Sequence, residues 1–216
     1  KLLLIDFIKT PFSYIVPYYR FPTETHVYDL NAKLIKIIDD APLLEELPKG
    51  FMSTTKGKRN FRWRSDKPST LAYSLALDGG DPSNSTEYRD ALYQWEAPFN
   101  KAPSILTKVK NRISGIYWGS DKVAIITDRW WNTRNTKTYV FNPSNPKIKA
   151  KIIHDRNYQD IYKDPGRFIQ KKNKFNKNTL LINDNSAYTI GNGFTNNGQF
   201  PFIDKVSLVN GQAERR

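Results

Sequence analysis

Few residues in this chain are equipped for bond chemistry. There are two histidines, His26 and His154, and no cysteine. A nucleophilic triad needs a base touching its nucleophile and an acid that orients the base. His154-Asp155 puts a base beside an acid at the expected end of a strand. A satisfied surface or inter-blade histidine is much the better reading. No Gly-x-Ser-x-Gly elbow occurs, and the two histidines lie too far apart to suggest a metal pair. Without cysteine there is no disulfide, thiol nucleophile or thiolate metal site. No catalytic, cofactor-binding or metal-ligating residue is therefore expected.

What remains are groups suited to binding: Arg64, Asp78, Asp81, Arg129 and Trp131. Asp78 and Asp81 flank two glycines and hint at a cation loop. The oxygen ligands of a calcium loop are missing, and a turn with left-handed glycines fits better. Trp130-Trp131, with Arg129 and Arg134, offers stacking surface for a base or a sugar. Neighbouring strand residues face opposite sides, so at most one of the two rings faces a given side. Glu45-Glu46 presents paired carboxylates to an amine, but in a connector between prolines, where a solvated pair is the plainer reading.

These groups must be held by strands. Trp63-Arg64-Ser65-Asp66-Lys67 returns 55 residues later as Trp118-Gly119-Ser120-Asp121-Lys122. Each copy leads through turn residues into an apolar strand. Leu71, Tyr73, Leu75 and Leu77 alternate with Ala72, Ser74 and Ala76, which predicts a strand buried on both faces. In the second copy the spacing predicts strands over 113–118, 123–127, 138–141 and 148–153. Before the repeat, Leu2 to Ile5 reads as a strand in progress, and 27–30 and 33–38 as a hairpin. Residues 11–21 are an aromatic edge or bend around Pro17, and 43–47 a helical turn. After it come strands at 180–182, 187–190 and 205–208, then a hairpin with an Asn210-Gly211 turn. Trp63 and Trp118 occupy equivalent places, so both are expected to be packing residues.

A small antiparallel sheet repeated at this spacing points to an all-β fold, a partial β-propeller of about three to four four-stranded antiparallel blades. The expected blades are residues 1–45 (partial), 58–110, 112–155 and 166–216, all within one propeller domain spanning 1–216. Closure takes about 4–8 blades, so the chain is expected to be a fragment.

The formal net charge is +13. Nucleic acid is thus a rival partner, but the basic residues are scattered over turns and strand ends, as on a solvated surface. No apolar run approaches a membrane span.

Five runs together resemble the propeller of bacterial prolyl oligopeptidase family serine peptidases, in the branch similar to glutamyl endopeptidases. They are Leu47-Pro48-Lys49-Gly50-Phe51, Phe61 to Pro68, Ala76 to Pro82, Asp128-Arg129-Trp130-Trp131 and Phe141 to Pro146. The stretch from Lys171 to Gly198, rich in Asn and Lys, resembles that family least. The resemblance implies a parent peptidase whose Ser-Asp-His triad sits on a separate α/β-hydrolase domain of the same polypeptide. It carries no catalytic residue onto these positions. The chain would then be a non-catalytic, substrate-gating portion handling peptides, with a periplasmic or secreted parent. A stand-alone binding propeller for glycan or protein is the alternative.

Overall fold

The computed structural model describes residues 1–216 and contains only strands, turns and one 3-10 turn, Tyr18–Arg20. Three sheets follow one another as up-and-down meanders. The first is three-stranded: β1 (Leu2–Ile8), β2 (Thr23–Asp29) and β3 (Leu34–Ala41). The second has β4 (Lys58–Trp63), β5 (Thr70–Ala76), β6 (Asp90–Glu96) and β7 (Ser104–Val109) in that order. The third has β8 (Arg112–Trp118), β9 (Ala124–Trp130), β10 (Asn135–Phe141) and β11 (Lys151–Asn157).

The remainder is less regular. It comprises β12 (Arg167–Phe168), β13 (Gln170–Lys172), β14 (Asn178–Leu180), β15 (Ile182–Asn183), β16 (Ser186–Gly191), β17 (Phe194–Thr195), β18 (Gly198–Gln199), β19 (Phe202–Ser207) and β20 (Ala213–Arg215). Here β12, β16, β19 and β20 form one sheet in that order, with β15 also pairing β16; β13–β14 and β17–β18 are separate hairpins. The fold class is all-β, built of consecutive antiparallel blades as in a propeller.

The chain divides into two compact units. One holds Lys1–Arg64, Pro68–Glu87 and Ala91–Ile105; the other holds Ser65–Lys67, Tyr88–Asp90 and Leu106–Arg216. In the first unit, Val27, Ile38, Leu71 and Phe99 make the core, with Phe61, Trp63 and Trp95 packed against it. In the second, the core is Ile125, Ile153, Phe168, Leu180, Ala187 and Leu208. β5 is buried along almost its whole length, so both of its faces are covered, as its uncharged large-small alternation predicts. Trp118 is buried and meets Phe141 edge-on, so both repeat tryptophans are packing residues.

Of the two readings of residues 11–21, the bend holds: residues 14–16 are bends, and Pro17 leads into the 3-10 turn. Three expectations need correction. Residues 43–47 form no helical turn: a five-residue run flanked by prolines has too few intrahelical bonds to hold itself. β11 begins at Lys151, not Ile148, because backbone turns Asn145 N to Asn142 O and Ile148 N to Asn145 O occupy that loop. The run 180–182 is not one strand. Leu181 N donates to Ile169 O, so the chain changes pairing partner there and splits into β14 and β15.

Candidate functional site

The third sheet carries a row of arginines. Arg112 pairs across to Arg129, Arg129 to Thr136, and Thr136 to Arg156. Directly opposed residues share a face, so three guanidinium groups lie on one side, an arrangement that is unfavourable unless counter-charges relieve it. Two of them are relieved. Arg112 is buried, and its Nη1 donates to Asp90 Oδ1 at 3.0 Å and to Arg89 O at 3.1 Å. Arg156 Nη2 donates to Asp164 Oδ1 at 2.9 Å.

Arg129, between them, is exposed and has no carboxylate partner; its guanidinium lies 4.4 Å from the centroid of the Tyr158 ring. At the β9–β10 turn, Arg134 adopts a left-handed backbone (φ 55°) and folds back over Trp131 at 3.9 Å. Its Nη1 donates to Trp131 O at 2.7 Å. Tyr158 N donates to Arg134 O at 2.8 Å, which sets the two stacked pairs side by side. Trp131 is 40% exposed, whereas Trp130 is half-buried under Arg89 at 4.0 Å. Trp131 lies in the turn just beyond β9, so strand alternation does not govern it; the turn, not the pleat, is what exposes this ring.

Beside this surface sits a buried carboxylate, Asp128, fully shielded from solvent. Its Oδ2 accepts from Tyr139 Oη at 2.7 Å and Asn111 N at 2.9 Å; its Oδ1 accepts from Lys137 N at 3.0 Å and Asn111 Nδ2 at 3.1 Å. Burial pushes the Asp128 carboxyl above its usual range, and these four donors oppose that rise. Burial likewise pushes the Tyr139 phenol up, with the Asp128 charge adding to it.

The histidines are placed for packing. His26 Nε2 meets Glu24 Oε2 at 2.8 Å and its Nδ1 meets Tyr28 Oη at 3.1 Å, with Phe7 against the ring. His154 is partly buried on β11, its Nδ1 lacks a hydrogen-bond partner, and burial lowers its pKa from the ordinary value. No group of three or more His, Asp or Glu side chains stands together as a metal cluster.

The first unit holds the other residues singled out in the sequence. Arg64 is buried just past β4, and its Nη1 donates to Gln94 Oε1 at 2.5 Å. Asp78 is buried, with Oδ1 accepting from Gly80 N at 3.0 Å. Asp81 Oδ1 accepts from Ser83 N and Ser83 Oγ, bonds that hold its carboxyl below the usual range. Asp78 and Asp81 are thus turn carboxylates, as the left-handed Gly79 and Gly80 imply. Arg64 and Asp78 lie at opposite ends of β5, roughly 20–25 Å apart at ~3.3 Å per residue, so the structure does not join them in one site. Arg129 and Trp131 belong to the other unit.

This unit also contains a cleft of about 630 Å³ that no sequence signal announced. Its lining includes Asp6, Tyr18, Tyr19, Glu46, Lys56 and Lys58. Glu45 is instead drawn away to Ser13 Oγ at 2.8 Å, so the two glutamates do not act as a pair. Sequence reasoning found Arg129 and Trp131 but missed Tyr158, 29 residues beyond Arg129 in the chain. Only the cross-strand register, in which β11 continues to Asn157, brings it back to the β9–β10 turn.

Comparison with known proteins leaves the site unassigned. No family model matches the chain. Two plant proteins, each called a probable chloroplastic glutamyl endopeptidase, are similar over the whole chain. The Arabidopsis thaliana protein is 34% identical over 225 aligned positions, and the Oryza sativa subsp. japonica protein 34% over 228. A solved structure of oligogalacturonate lyase in complex with manganese superposes with a TM-score of 0.45 at 12% identity, over 92% of this chain and 43% of that one. No helix is long and apolar enough to cross a membrane. The chain spans 23–24% of the length of the plant relatives it matches, and is homologous to one part of proteins named as peptidases.

Proposed function

We propose that this chain is the non-catalytic propeller portion of a serine peptidase of the prolyl oligopeptidase type, similar to glutamyl endopeptidases. In this reading it restricts entry to peptides and supports an α/β-hydrolase domain elsewhere in the same polypeptide. The observation that carries it is 34% identity along the entire chain to two proteins four times its length that are named as peptidases. The meander sheets support it, because their rigid antiparallel blades suit a lid better than a site of bond chemistry. The proposed division is a single propeller domain with blades over about 1–45, 58–110, 112–155 and 166–216. We further propose a periplasmic or secreted parent, which fractionation of the source cells tests.

The parent polypeptide is expected to carry a Gly-x-Ser-x-Gly, then an Asp, then a His, outside residues 1–216, and to label with a fluorophosphonate at that serine. Its kcat/KM is expected to fall steeply between glutamyl peptides of ~5–10 residues and a folded protein bearing the same sequence on its surface. Equal kcat/KM on both would remove the gating role. Failure to find the three residues would remove the peptidase.

A further inference from the structure

We propose that the adjoining Arg129–Tyr158 and Arg134–Trp131 stacks form a docking surface for an extended peptide segment bearing carboxylates. The surface combines three observations. First, neither guanidinium has a carboxylate partner, while the acids nearby are consumed elsewhere. Asp90 takes Arg112, Asp155 takes Lys137, Asp164 takes Arg156 and Asp160 takes Lys163. Second, each guanidinium lies on an aromatic ring, at 4.4 Å and 3.9 Å to the centroid. A ring fixes the plane of the fork but takes none of its in-plane N–H donors; Arg134 spends an Nη1 hydrogen on Trp131 O, which leaves its Nε and Nη2 edge, and the whole Arg129 fork, for bidentate carboxylate recognition at reduced entropy cost. Third, with Arg112 and Arg156 each paired to an acid, Arg129 and Arg134 stand as uncompensated positive charge on a chain of net charge +13.

The same geometry disfavours nucleic acid. Single strands bind by stacking bases on open aromatic faces. Here the rings of Tyr158 and Trp131 are each already occupied by a guanidinium. An extended peptide asks nothing of those rings. Its carboxylates on alternate residues project from one side about 6–7 Å apart. This surface is distinct from hydrolysis and does not require the parent to be a peptidase.

The test is fluorescence anisotropy on the full parent polypeptide, pretreated with a fluorophosphonate. The probe is a fluorescein-labelled decapeptide of alternating Glu and Ala, compared with its Gln-Ala counterpart. The Glu peptide binds and the Gln peptide does not, with affinity falling severalfold between about 50 and 200 mM salt. Arg129→Gln and Arg134→Gln each weaken binding about 3-fold, and together about 10-fold. Arg129→Lys, which keeps the charge but not the fork, also weakens it. Lys33→Gln with Lys36→Gln, on the first sheet, changes it less than about twofold. Unchanged fluorophosphonate labelling and near-UV circular dichroism show that the variants are folded. Absence of binding, or equal loss in the arginine and lysine doubles, overturns the proposal. So does a dT decamer that displaces the peptide at lower concentration and loses affinity in the same arginine variants. Peptide hydrolysis assayed without the fluorophosphonate is a separate readout, so failure of the peptidase reading leaves this result interpretable.

Discussion

Tyr139→Phe removes the phenol that donates to buried Asp128 and also accepts from Lys110 N at 3.2 Å; only the first of these bonds changes strength with the charge on Asp128. The phenol donates to Asp128 Oδ2 at 2.7 Å with both groups buried, and removing one oxygen leaves the ring's packing in place. A hydrogen bond to a charged group contributes about 1.5–3 kcal/mol, against about 0.5–1.5 for a neutral pair. With Asp128 ionised, the variant should therefore lose about 2 kcal/mol. At about 2–4 °C per kcal/mol for a chain of this size, the melting temperature falls by roughly 4–8 °C.

The pH dependence gives the sign. Burial raises the folded-state pKa of Asp128 above its unfolded value. Its favourable contribution is thus fully present below the unfolded pKa and is lost as pH rises through the folded one. Above that value the carboxylate depends on its four donors. Below it, the bond lost between the phenol and the protonated acid is a neutral one, and the bond from Lys110 N is lost at every pH alike. The deficit of Tyr139→Phe, measured by urea titration, should be largest near pH 7 and narrow toward pH 4. A deficit below about 0.5 kcal/mol at pH 7, or one that widens on acidification, would refute the reasoning.

Two further outcomes follow from the same kind of accounting. Gly79 and Gly80 both have positive φ, but a Cβ on Gly79 meets nothing within 4 Å, whereas one on Gly80 would lie 2.1 Å from Thr54 O. Gly79→Ala should cost about 1 kcal/mol, the left-handed penalty alone. Gly80→Ala should cost at least about 2 kcal/mol more by urea titration, because backbone must move; equal costs would show that the close approach is not rigid. His154, with its pKa depressed by burial, contributes stability above its unfolded pKa that is lost as pH falls through the lower folded value. His154→Gln should therefore flatten the stability profile between about pH 7 and 5. An unchanged slope would mean the imidazole is solvated when charged.

Much of the fold was legible in the chain because strand burial is a local pattern. The uncharged alternation around Leu71 to Ala76, the Trp-x-Ser-Asp-Lys repeat and the Asn210-Gly211 turn each specify a strand or its end through residues a few positions apart. Those signals sufficed for the antiparallel sheets and for the packing role of Trp63 and Trp118. Where pairing depends on a distant partner, they failed. Leu181 reads as mid-strand in an apolar run, yet its N–H goes to Ile169 and the run divides.

The candidate surface shows the same division. Arg129 and Trp131 stood out by type and proximity. Their neighbour Tyr158, and the exhaustion of nearby acids by Arg112, Lys137 and Arg156, depend on a register across four strands. Sequence determines which faces are apolar, because side chains alternate along any strand. It leaves open which guanidinium keeps a carboxylate, because that choice is made between strands and settled only when the sheet closes its hydrogen bonds.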